Sequence, residues 1–90
     1  MNDHREKWEL FQMETERQLA TWAEKPHDEL VQSAECCLED DNGGDPKFLD
    51  MIDSICKQFN EKEFLSEKQH NAVLQYVARQ YAAEEVEYIL

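Results

Sequence analysis

Seven carboxylates and no Lys or Arg fall between Pro26 and Asp45: Asp28, Glu29, Glu35, Glu39, Asp40, Asp41 and Asp45. They carry seven of the twelve net negative charges of the chain, and the stretches on either side are closer to balanced, −2 before the block and −3 after it. A concentrated acidic block repels nucleic acid and anionic membrane and attracts basic protein surfaces. Two readings follow. In one, carboxylates from a helix end, a loop and the next helix stand at spacings comparable to phosphates, with Asp50 and Asp53 extending the row, and occupy a Lys/Arg groove on another protein. In the other, the same residues solvate a turn and complement two helix N-termini.

Other chemistries fit poorly. An EF-hand taken with Gly44 as its sixth residue would put Gly43 fifth, where an oxygen ligand is required, and Asp50 twelfth, where Glu is needed. The three cysteines, an odd number, argue against a disulfide framework. Cys36 and Cys37 are adjacent and point to different faces, and Cys56 sits in an apolar stripe. Three reduced thiols, two of them filling core space, are the reading, and paired zinc-ligand spacings are absent. His4, His27 and His70 stand apart in sequence near helix starts, with no triad-like neighbours, so surface or capping roles are expected. The two glycines lie among carboxylates, unlike a phosphate-binding loop, and the basic residues form no stripe for nucleic acid. Hence no metal, no cofactor, no direct nucleic acid binding and no catalytic activity are expected.

Ninety residues suit one domain, 1–90, and a chain this short buries only about 60–65% of its unfolded surface. Apolar residues at 41% and nine aromatics are too many for a disordered chain, even with 33% charged residues. No apolar run reaches membrane-spanning length, and the polar start MNDHREKWE is unlike a secretory signal, so the cytoplasm is the expected setting.

Helical periodicity positions these residues. Trp8, Phe11, Thr15, Leu19 and Trp22 mark one face of a first helix running from an Asn2 or Asp3 cap to about Glu24, flanked by Leu10 and Met13. Pro26 interrupts it and opens a second helix, with Asp28 and Glu29 in its first turn and Leu30, Val31, Ala34, Cys37 and Leu38 on its buried side, ending near Glu39. Asp45-Pro46 reads as N-cap and first position of a third helix that carries Phe48, Leu49, Ile52, Ile55, Cys56 and Phe59 to about Asn60. Ser66 with Gln69 is a capping-box pattern. The fourth helix places Val73, Leu74, Val77 and Tyr81 on its stripe, with Ala72, Ala78, Ala82 and Ala83 as helix formers, and runs to about Tyr88. With no alternating strand pattern, the fold class is all-α: about four helices, short loops, antiparallel neighbours.

Aromatic residues give a second candidate surface. Trp8, Phe11 and Trp22 either pack inside or form an exposed face for a partner. Tyr76, Tyr81, Tyr88, Ile89 and Leu90 either pack on the first helix or form a homodimer seam, a common source of extra burial for small helical domains.

The segment with Phe48, Leu49 and Ile52, then Phe64-Leu65-Ser66-Glu67-Lys68-Gln69, then Leu74-Gln75-Tyr76 is similar to a helix–LSEKQ–helix segment of assorted phage and replication-associated proteins. As a whole, the short, acidic, helical chain resembles in type the phage-encoded inhibitors of host defence, including anti-CRISPR proteins and DNA-mimic nuclease inhibitors. That resemblance implies a non-enzymatic protein in the host cytoplasm whose partner is a protein with a basic, nucleic-acid-binding surface. It carries no functional residue across. The alternative expectation is a homodimeric structural or regulatory module acting through the aromatic faces.

Overall fold

A computed structural model describes residues 3–40 and 44–89, with side chains described for 6–40 and 44–86. Four helices follow in order: α1 (Asp3–Ala23), α2 (His27–Asp40), α3 (Pro46–Lys62) and α4 (Glu67–Ile89). No strand occurs among the described residues, so the all-α class expected from periodicity holds. Boundaries fall within two residues of those read from the sequence wherever a local cap fixes them.

The caps explain the boundaries. Lys25 N–H donates to the Trp22 carbonyl at 3.1 Å as α1 ends, and the Pro26 carbonyl accepts from Leu30 N–H at 3.1 Å. Pro26 therefore stands just outside α2, not in its first turn as expected, and its fixed φ directs the chain into the helix. Asp45 caps α3: its Oδ1 accepts the Lys47 N–H at 3.1 Å, with Pro46 at the first helical position. At α4 the capping box is complete. Gln69 N–H donates to Ser66 Oγ at 3.1 Å, and Ser66 N–H donates to Gln69 Oε1 at 3.0 Å. The third helix runs past Asn60 because Glu63 takes the left-handed conformation (φ 55°, ψ 33°) and returns its N–H to Phe59 O at 2.7 Å. Glycine usually fills that position, and a Glu there gives no sequence signal.

α2 and α3 form an antiparallel hairpin that packs on α4. Its depth comes from Leu30, Val31 and Ala34 of α2, Ile52, Ile55 and Cys56 of α3, and Leu65, Val73, Leu74, Tyr76 and Val77 of the segment leading through α4. His27 near His70 at one end, and Cys36, Cys37 and Asp40 beside Gln80, Tyr81 and Glu84 at the other, show that α2 runs parallel to α4. The exposed Phe48 meets Tyr76 edge-on with centroids 6.0 Å apart, and Gln69 Nε2 donates to Gln58 Oε1 at 3.0 Å, so α3 runs the other way.

α1 packs along α4, and none of its described side chains is fully buried. Leu19 and Trp22 are half-buried against the core, Phe11 and Thr15 are half-buried further along, and Trp8 and Met13 are 59% and 67% exposed. The face traced by the sequence is therefore only partly covered. Beneath α1 lies a row that the sequence offers only as helix formers. Ala78, Ala82 and Val86, spaced by four, are buried yet stand outside the main core cluster. On one side of that row Tyr81 stacks on Trp22 of α1, and on the other Gln75 and Arg79 share a groove with α1. Small side chains let the two axes approach closely. Tyr76 also departs from its place in a dimer seam: it is 3% exposed and belongs to the intrachain core.

This arrangement predicts an asymmetry between neighbouring alanines. Ala82→Leu overfills the α1–α4 contact and should cost about 1–3 kcal/mol in thermal or urea denaturation. Ala83→Leu, on the exposed side of α4, should leave stability within about 0.5 kcal/mol of the parent.

Candidate functional site

The hairpin redistributes the acidic block. With a rise of about 1.5 Å per residue, Asp28 and Asp40 stand about 18 Å apart along α2, so the block spans the helix and does not form one knot. Asp28 and Glu29 occupy the first turn, where they complement the dipole, and Asp28 lies beside His27, Phe59 and Glu63 at the far end of α3. Toward the other end, Glu35 accepts from Asn60 Nδ2 at 3.2 Å across the hairpin, Glu39 lies one turn on, and Asp40 shares a cavity of about 200 Å³ with Glu84 of α4.

Asp53 of α3 comes near Glu35 of this group, and Asp50 lies beside the same lysine as Asp53. Burial chiefly, then the charges of Glu35 and Asp53, pushes the Cys56 thiol up to about 11, so carboxylates from both helices converge around it. Lys57 bonds Asp53 at 2.9 Å and is raised by that hydrogen bond first, with Asp50 adding to it. Among the described residues, Asp53 is the one member of the acidic set in an ion pair. Asp45 uses its carboxylate as the α3 cap. Asp41 lies outside the described residues.

The aromatic set divides differently. Trp22 and Tyr81 stack at 5.2 Å within one chain, Trp22 Nε1 donates to Gln18 Oε1 at 3.1 Å, and both rings are half-buried against the core. Burial raises the Tyr81 phenol above its usual value. Trp8 and Phe11 stack on each other at 6.2 Å on the outer part of α1. The Tyr88 side chain lies outside those described.

One further point corrects the sequence reading of the histidines. His27 and His70 do not stand apart: their rings lie 4.7 Å from each other, because parallel α2 and α4 begin side by side. Nothing in their spacing of 43 positions signals this, beyond both falling at helix starts. The cysteines divide as read from the sequence: Cys36 is exposed, Cys56 is buried in the core, and the half-buried Cys37 packs against it. Among the described residues no cluster of three or more His, Cys, Asp or Glu could hold a metal ion, and no helix is long and apolar enough to cross a membrane.

The histidine pair predicts a pH dependence of stability. Burial and the neighbouring His27 lower the His70 pKa below 6.5, so the folded chain binds fewer protons than the unfolded chain as acid is added. Its contribution is fully present above the unfolded value and is lost as pH falls through the folded one. The urea midpoint should fall between about pH 7.5 and 5.5, above the carboxylate range. His27→Gln should flatten that fall and raise the His70 pKa read by NMR titration. Compared with known protein families, curated proteins and solved structures, the chain finds no match.

Proposed function

We propose that this chain is a non-enzymatic protein-binding inhibitor that lays the acidic α2–α3 surface onto a Lys/Arg-rich, nucleic-acid-binding surface of another protein. The observation that supports this is that Glu35 of α2 and Asp53 of α3 come together about Cys56, with Asp50 beside Lys57 and Glu39 beside Glu35, and that Lys57 is the one cation bonded to the acidic set among the described residues. Rigid helices preset the spacing of these groups, so little order must be imposed when a basic groove closes on them. Opposed fields also accelerate encounter and select against acidic partners. The surface repels nucleic acid directly, so it acts on nucleic-acid chemistry by occupying the protein that performs it. Together with the likeness in type to phage-encoded inhibitors of host defence, such as anti-CRISPR and DNA-mimic proteins, this favours a bacterial nucleic-acid-handling protein in the cytoplasm as partner.

Binding of this kind weakens with salt, because exposed charge pairs are screened over about 8–10 Å at physiological ionic strength. A partner captured from bacterial lysate at low salt should bind DNA or RNA by itself and lose it as this chain is added. Its affinity for the chain should drop at least about tenfold between roughly 50 and 300 mM salt. The triple variant Glu39→Lys, Asp40→Lys, Asp50→Lys changes exposed residues and spares the Asp45 cap, so helicity should persist while binding is lost. A triple variant that binds as the parent does would sink the reading.

A further inference from the structure

We infer that the groove between α1 and α4 is a self-association surface, closed by the same groove of a second copy of this chain. Trp8, Phe11 and Thr15 form the α1 side and Gln75 and Arg79 the α4 side of a space of about 470 Å³. The inference does not rest on the acidic surface.

Three observations select a second copy as occupant. The first is apolar area. Trp8 is 59% exposed and stacked on Phe11, which makes a preformed two-ring plate that pays little side-chain entropy on being covered. The second is charge. The groove carries one carboxylate, Glu16, and one guanidinium, Arg79, and is neutral on a chain of net charge −12. Two copies meeting through it keep the acidic α2–α3 surfaces out of the contact, and a two-fold axis sets like residues in reciprocal reach.

The third is surface area. The chain exposes 6756 Å², whereas a compact monomer of its mass exposes about 5,500 Å². The excess of about 1,250 Å² exceeds the roughly 800 Å² that each partner gives up in a standard interface. Elongation accounts for it: the molecule measures 50 × 27 × 20 Å with a radius of gyration of 13.8 Å, against about 12 Å for a compact chain of this length.

The salt dependence separates this contact from any acidic-surface binding. Two chains of charge −12 repel at long range, so screening should strengthen the dimer while it weakens capture of a basic partner. Sedimentation equilibrium or light scattering at about 200 µM chain and about 300 mM salt should give twice the 10.7 kDa chain mass, with dissociation increasing as salt is lowered. Trp8→Lys should raise the dissociation constant at least about tenfold with unchanged circular dichroism. Arg79→Glu, on the exposed side of α4, sets a second carboxylate beside Glu16 and should do the same, and it decides the matter if Trp8→Lys perturbs α1. The triple acidic variant should dimerise at least as well as the parent. A parent that stays monomeric under these conditions overturns the proposal. So does a dimer that survives Arg79→Glu, or one lost on reversing Glu39, Asp40 and Asp50.

Discussion

Every other helix of this protein is held through α4. Its surface is divided among three neighbours: Val73, Leu74, Tyr76 and Val77 meet the α2–α3 hairpin, and the Ala78–Ala82–Val86 row lies under α1. A helix apolar around most of its circumference must be enclosed or aggregate. Size around the circumference then sets which neighbour fits where: branched and aromatic side chains fill the wider space toward the hairpin, and alanines admit the single helix. The Ser66–Gln69 capping box matters beyond its own turn, because it fixes where α4 begins and hence where each of these residues faces.

Charge works against this economy. A net charge of −12 on ninety residues raises the free energy of the compact state through self-repulsion. The fold relieves part of it by spreading the acids along the length of α2 and by using some locally. Asp28 and Glu29 sit at a positive helix end, Asp45 caps α3, Asp53 pairs with Lys57, and Glu35 bonds Asn60. Glu39, Asp40 and Asp50 are exposed with no such local use, and they underlie the proposed binding surface.

How much of this the sequence discloses depends on the range of the interaction. Caps act over three or four residues, so Asp45-Pro46 and Ser66/Gln69 were legible, and with them the helix starts. The stripes of α2 and α3 were legible because one buried face dominates each. α1 was not, because its stripe is covered on one side only and periodicity cannot distinguish a covered ring such as Trp22 from an open one such as Trp8. Tyr76 looked like surplus apolar surface because its burial depends on Phe48, twenty-eight positions away. The His27–His70 contact and the convergence of Glu35 and Asp53 on Cys56 depend on helix direction and register, which neither composition nor spacing encodes.

The thiols give the molecule an internal clock. Cys36 is open to solvent, whereas burial first, and the nearby Glu35 and Asp53 second, push the Cys56 thiol up to about 11. Alkylation runs through the thiolate, so near neutral pH Cys56 reacts only when the α2–α3 hairpin parts and both suppressing influences lapse together. Its labelling rate under native conditions thus measures how often the acidic surface comes apart, at a single atom and without added denaturant. A partner that clamps that surface would slow the clock, and one that binds elsewhere would leave it running.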